Sequence, residues 1–397
     1  MYLVNGRAAI VDLASGEVEE REVDWGGSSR DSDALSVANG LSLSSGGDIV
    51  FGSGLLTGSL VPSACAGFVG ADAGPDGFGR VAPLVGTAGV ELKLTGFDFV
   101  VIKGRATAPG YLWVRDGMAE FVESPSLVPS DSWERTDAIR KEQGDRRVQV
   151  ISVGRWGTES SRGAQFVNDY WGGEDKVGMG AEFGRANMLA FAFRGMGELE
   201  VAEPKAHFES AVALQTRHLQ SLGDNRGLLS YSDGRLPDEM SALAHRHVAC
   251  FGCRFPCRTF LKIFEDPGEM RLVNTEPGYL LYDIAAAEEL LSRGVSGRDA
   301  VEILIHCARA GAEPSGVVRG LAGRDAPPTV ASVDSMLDAP APSASPVGTG
   351  SFESSFADRS DYLRCLGLGL CPRYWSKVGL DLGAVSECAR SAIGRDL

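Results

Sequence analysis

Long apolar runs, clusters of basic residues and a basic leader are all missing from this sequence, and each absence closes a class of function. No stretch reaches the roughly 18–20 consecutive apolar residues that a membrane-spanning helix needs. Lysine and arginine number 38 against 53 aspartates and glutamates, a formal net charge of −15. That is the wrong sign for nucleic acid or an anionic membrane surface. The first residues, Met1 to Asp24, alternate polar and apolar side chains and lack the basic start and apolar core of a secretory leader. The expectation is a cytoplasmic protein that is not exported. No internal repeat is visible. Proline is unremarkable at 18 residues while glycine is abundant at 51, so the glycine excess points to tight turns and close backbone approach, not to a linker.

What is present is ordinary globular material, 44% hydrophobic and 23% charged over 397 residues, enough for two or three domains. The first two hundred residues read as β-rich. Ala8–Leu13 and Val18–Val23 flank a Ser15-Gly16 turn as a hairpin. Asp48–Gly52, Asp98–Gly104, Gly110–Arg115, Val148–Val153 and Met188–Gly195 read as further strands, and Ser132–Glu142 as a short helix. Beyond about Glu203 the period changes to that of helices. The spacing predicts helices over Ala206–Leu222, Leu236–Ala249, Gly278–Ser292, Ser296–Ala310 and Gly383–Ile393. Gly323–Ser355, rich in Ala, Pro, Ser and Gly, reads as a loop or flexible connection. The expected organisation is therefore α+β: a β-rich domain over 1–203, a helical domain over 204–322, a connection over 323–358 and a helical segment over 359–397.

Eight cysteines occur, and three fall within eight residues, Cys250-Phe-Gly-Cys253-Arg-Phe-Pro-Cys257. Without a leader, disulfides are a poor account of them. Thiolates are soft ligands suited to iron–sulfur clusters or zinc. Structural zinc usually shows paired Cys-x-x-Cys units, and no second pair is present here. A [4Fe–4S] cube needs four ligands, of which one short loop can supply three. The fourth is sought among Cys371, Cys365, Cys388 and Cys307, with free apolar thiols the bland reading of these and of Cys65. His245 and His247 read as a helix face. Cys371 stands out because it follows Leu366-Gly367-Leu368-Gly369-Leu370, where glycines let backbone approach a cofactor.

Several segments in one order carry a family resemblance. These are Gly54-Leu55-Leu56-Thr57-Gly58 with Pro62, Gly89–Asp98 followed by Ile102–Ala106, Ser152–Glu159, Asn168-Asp169 with Gly178–Asn187, the cysteine triplet, and Leu366–Cys371. Together they resemble the aldehyde:ferredoxin oxidoreductase family, with this chain a shortened and divergent member. The resemblance implies a β-rich N-terminal domain followed here by a reduced helical region, a tungsten ion on two pterins, and one [4Fe–4S] cluster on Cys250, Cys253, Cys257 and Cys371. It implies ferredoxin or another redox protein as partner, and oligomers. Pterin contacts would fall on Lys176, Gly178, Gly180, Gly184, Gly86 and Gly311, and an active-site carboxylate on Glu276.

The departures from the family pattern lie where pterins would bind. Ala64-Cys65-Ala66 replaces a glycine pair and an arginine, Pro83-Leu84-Val85 fills a small-residue stretch, and Glu174 and Asp175 stand where phosphates want cations. The resulting expectation is an electron-transfer subunit or partner of a catalytic homologue, binding one cluster and without a complete tungsten–pterin site. The alternatives are an active tungsten or molybdenum enzyme oxidising aldehydes to carboxylic acids, and a structural protein holding zinc or no metal.

Overall fold

A computed structural model describes residues 3–23, 43, 47–71, 79–223, 236–263, 278–282, 284–321, 327–339 and 356–394. The fold is mixed α+β. Its centre is a six-stranded sheet in the order β2-β1-β6-β3-β4-β5. The strands are β1 (Arg7–Asp12), β2 (Val18–Glu22), β3 (Ile49–Ser53), β4 (Gly67–Ala71), β5 (Arg80–Leu84) and β6 (Phe99–Lys103). β1 and β6 run parallel, and the other pairs are antiparallel.

Apart from the exposed edge strand β2, both faces of this sheet are buried, and the period of two in the sequence assigns each side chain to a face. Ala9, Val11, Phe51, Val69, Ala82, Val100 and Ile102 point one way. Their neighbours Ala8, Ile10, Val50, Phe68, Val81, Phe99 and Val101 point the other way. The register holds them level, with Val101 paired to both Ile10 and Val50. The first set packs on a second sheet, ordered β10-β9-β11-β7-β8. Its strands are β7 (Gly110–Arg115), β8 (Met118–Glu123), β9 (Gln149–Val153), β10 (Phe166–Asn168) and β11 (Met188–Arg194). Ring contacts such as Phe51 to Phe191, 4.3 Å between centroids, cross the interface.

The second face of the central sheet is covered by the cysteine-bearing segments and by helices Pro204–Leu222, Arg359–Gly367, Pro372–Val378 and Leu382–Ile393. A separate core joins helices Ile284–Ser292, Gly297–Ala310, Pro314–Gly320 and Val330–Asp338 to Trp156 and to a small antiparallel sheet. That sheet comprises β12 (Ala244–Val248), β13 (Arg258–Lys262) and β14 (Gly278–Leu281).

Three expectations need correction. Leu236–Ala249 is not one helix: a single turn, Asp238–Ser241, gives way to β12, which pairs with β13. His245 and His247 therefore sit exposed on a strand and not on a helix face. Gly278–Ser292 begins as β14 and turns helical only at Ile284. The Pro/Ala/Ser-rich stretch contains helix Val330–Asp338, started by a Thr329–Ser332 capping box and anchored by buried Val333 and Leu337.

Candidate metal centre

Three distant segments meet on the second face of the central sheet. The first is the loop Gly54–Ala66 between β3 and β4. The second, Gly367–Cys371, joins two helices. The two are stitched backbone to backbone: Leu55 and Leu56 N–H groups donate to Gly367 and Leu368 carbonyls, Ala66 N–H to Gly369 O at 2.9 Å, and Cys371 N–H to Ser63 O at 2.9 Å. Contact this close tolerates no side chain. A Cβ on Gly54 would lie 2.0 Å from Gly369 N, and one on Gly369, whose φ is +80°, would lie 2.2 Å from Thr57 Oγ1. Lys93, fully buried, holds the loop from below by donating to Gly54 O at 2.6 Å and Leu55 O at 2.9 Å. Burial lowers its pKa to about 8. The Trp375 indole closes the far side on Pro62 O at 3.1 Å.

The third segment is the cysteine loop. Phe251 N–H donates to Gly86 O at 2.8 Å, and Cys253 Sγ shares a hydrogen bond of 3.1 Å with Ser63 Oγ. Phe255 packs on Tyr374, 4.9 Å between ring centroids. Cys371 caps the helix that begins at Pro372, with proline at the position where no N–H is needed. Cys250, Cys257 and Cys371 are buried and Cys253 is partly so, all as free thiols of one core. The structure thus brings Cys371 beside the three loop cysteines. Cys388 lies with His207 on the helices behind, Cys307 in the other core, and the Cys365 thiol is turned to Leu370 O.

Sequence reasoning missed three members of this nest. Cys65 is fully buried and within hydrogen-bonding reach of the Cys250 and Cys371 thiols. Its thiol donates to Ser63 O at 3.6 Å, and the two neighbouring thiols together with burial raise its pKa. Arg258 and Arg373 supply the positive charge. Arg258 donates to Ala249 O at 2.9 Å, while Arg373 stacks 3.7 Å above the Tyr282 ring and donates to Tyr282 O. Their sequence signal was available: each arginine stands one or two residues after a nest cysteine. The electrostatic result is uneven. The Cys65 thiol, the two guanidiniums and a backbone hydrogen bond from Gly86 bring Cys250 down to about 5 against the effect of burial. Cys371 is lowered as well, first by Cys65. Burial pushes Cys253 up to about 12 and Cys257 up to about 11. A cation-flanked thiolate is the reactive and metal-binding form of cysteine. Among the described residues no three His, Cys, Asp or Glu side chains converge tightly enough to chelate a single metal ion.

Beside the nest lies a cavity of about 230 Å³, whose lining includes Gly86, Thr87, Asn168, Glu174, Arg258 and Tyr282. Glu174 accepts from Asn168 Nδ2 at 3.1 Å and Val85 N at 3.3 Å, and burial raises its pKa to about 7.

The residues predicted to contact pterin sit differently. Lys176 is buried in an ion pair with Glu313, 2.7 Å, and Glu313 also caps helix Pro314–Gly320. Asp175 accepts from the amides of Phe166, Val177, Met179 and Gly180. The two acids read as standing where phosphates want cations, Glu174 and Asp175, are both buried and hydrogen-bonded within the protein. Gly178, Gly180 and Gly184 are pressed against backbone, where a Cβ would meet Arg162 O, Gln165 C and Gly157 O at 2.8, 2.5 and 2.1 Å. Gly311 ends helix Gly297–Ala310 with φ +65° and packs on Gly154. Only Gly86 of this group borders the cavity. Glu276 lies outside the described residues. No helix among the described residues is long and apolar enough to cross a membrane.

Residues 8–195 match the family model described as aldehyde ferredoxin oxidoreductase, N-terminal domain. The tungsten-containing aldehyde ferredoxin oxidoreductase of Pyrococcus abyssi is 31% identical over 155 residues, 39% of this chain and 26% of that relative. Its Thermococcus kodakarensis counterpart is 29% identical over 150 residues, 38% of this chain and 25% of that relative. The match thus spans about a quarter of the curated relatives' length. Among solved structures, the active site complex BamBC of benzoyl coenzyme A reductase, bound to 1,5-dienoyl-CoA, superposes with a TM-score of 0.63 at 17% identity, covering 97% of this chain and 64% of that one. That likeness shows a shared fold. The two-sheet half of this molecule, residues 8–195, is therefore similar to the aldehyde ferredoxin oxidoreductase N-terminal domain.

Proposed function

We propose that this chain is an electron-carrying iron–sulfur protein, with one [4Fe–4S] cluster held by Cys250, Cys253, Cys257 and Cys371, acting as a subunit or partner without a complete tungsten–pterin site. The observation that carries the reading is the convergence of these thiols, from segments far apart in sequence, into one buried nest flanked by Arg258 and Arg373. The donor set suits the group: soft sulfur ligands, with two guanidiniums to offset the negative charge that four thiolates bring. A cluster with one iron per thiolate spreads its ligands further apart than a single ion does. Bound there, it would supply one-electron transfer. The chain's own part is to bury the thiols and keep opposite charge beside them. Phe251, half exposed on the same loop, offers an apolar contact for a redox partner such as ferredoxin or a catalytic homologue. The residues read as pterin contacts suit that group poorly. Lys176 is committed to Glu313, and Gly178, Gly180, Gly184 and Gly311 to other backbone, while Gly86 alone borders the cavity.

The test is iron, sulfide, tungsten and molybdenum analysis of anaerobically purified protein, with an absorbance spectrum. About four irons and four sulfides per chain, with neither heavy metal, are expected. Protein lacking iron, or carrying stoichiometric tungsten or molybdenum, overturns the reading.

A second reading, an active tungsten or molybdenum oxidoreductase acting on aldehydes, is favoured by the cavity beside the nest and by the curated relatives, named as tungsten-containing. Reduction of a viologen dye by any member of an aldehyde panel would support it.

A further inference from the structure

The nest holds one thiol too many. Cys65, Cys250, Cys253, Cys257 and Cys371 share one buried pocket, while a cube has four corners to ligate. The surplus thiol stands beside one particular ligand. Cys65 and Cys371 are fastened to the same atom, the Ser63 carbonyl oxygen. It accepts Cys371 N–H at 2.9 Å, Cys65 N–H at 2.9 Å and the Cys65 thiol at 3.6 Å. The two sulfurs are within hydrogen-bonding reach of each other, and Cys65 also reaches Cys250. Ser63 sits at φ +59°, a left-handed conformation uncommon for serine, and this turns the chain so that Cys65 follows it into the nest. The remaining cysteines do not compete. Cys365 points to Leu370 O, Cys307 belongs to the other core, and Cys388 lies behind the nest.

We propose that Cys65 is a reserve ligand: when Cys371 does not occupy the fourth corner, Cys65 takes its place and the cluster stays bound. This rests on the iron–sulfur reading above. Ligation by Cys65 forms one iron–sulfur bond as the iron–Cys371 bond breaks, the Cys65 thiol proton passes to the freed Cys371 thiolate, and no electron is transferred.

The experiment compares the wild-type chain with Cys371→Ala, Cys65→Ala, the Cys65→Ala/Cys371→Ala double variant, and Cys365→Ala/Cys371→Ala. The last removes Cys371 and a buried thiol outside the nest. Each is purified anaerobically, assayed for iron and sulfide, and reduced for electron paramagnetic resonance. Both single variants and the Cys365→Ala/Cys371→Ala pair are expected to keep iron within about two-fold of wild type. The Cys65→Ala/Cys371→Ala pair is expected to fall more than about ten-fold. The resonance of Cys371→Ala should differ from wild type, because a different sulfur ligates. Iron loss in Cys371→Ala as complete as in the double variant overturns the proposal, and so does iron loss in Cys65→Ala alone. Full iron in the double variant also overturns it. The wild-type iron content separates this failure from that of the broader reading. A wild-type chain with iron, but with a Cys371→Ala variant lacking it, refutes only the reserve ligand. A wild-type chain without iron refutes both.

Discussion

The thiol nest and the segment Gly172–Gly184 lie on the same protein and are both buried, yet they treat polar groups in opposite ways. In Gly172–Gly184 each charge has a protein partner: Lys176 has Glu313, Asp175 has four amides, and Glu182 has Arg80 and Arg185. In the nest five sulfurs face one another, and the Arg258 Nε has no hydrogen-bond partner among the described residues. Buried polar groups are normally satisfied, so each exception asks for an explanation. The comparison teaches where to look for a ligand: at the place whose polar groups the protein itself leaves unsatisfied.

That contrast can be broken or sharpened. The largest effect is expected for Lys176→Met. If the segment is structural, the change leaves Glu313 buried with Arg319 at 3.9 Å and costs about 3–5 kcal/mol, read by urea unfolding, while iron per chain stays at the wild-type level. Iron loss at unchanged stability would erase the distinction between the two regions. Next is Gly369→Ala, which forces a methyl group onto Thr57 at a positive φ. A loss of about 2–4 kcal/mol is expected, and here, unlike Lys176→Met, iron should fall with it because the dock carries Cys371. The smallest effect is a pH dependence. Burial raises Glu174 to about 7 in the folded protein, above its ordinary value of 4.5. The folded state therefore holds the proton more tightly, and the stability this contributes is present below pH 4.5 and lost as pH rises through about 7. Glu174→Gln should flatten that slope, worth roughly 1–3 kcal/mol, in denaturation curves taken across the window.

Much of the frame was legible in the sequence. Strands β1, β2, β3, β6, β7, β9 and β11 were read from the sequence and the cysteine loop from its spacing, whereas β4, β5, β8 and β10 were not. Leu236–Ala249 was misread because Met240, Leu243 and Val248 satisfy a helical period, whereas tertiary pairing of Ala244–Val248 with β13 overrides it. The segment Gly89–Leu94 was visible as a motif but not as a device. Only the fold reveals that Lys93 pins the Gly54 and Leu55 carbonyls. Cys65 was illegible for the same reason. One cysteine in an apolar stretch looks like packing until Ser63 is known to meet Cys371.

The stitching of Gly54–Ala66 to Gly367–Cys371 also sets an order of events. Trp375 reaches Pro62 across 313 residues of sequence, and closing so long a loop has a large entropic cost that local contacts do not share. Sheet strands and helices can therefore form well before this contact does. The nest is therefore expected to assemble late, after the sheets and helices that carry its three segments, so its thiols stay apart for most of the folding reaction.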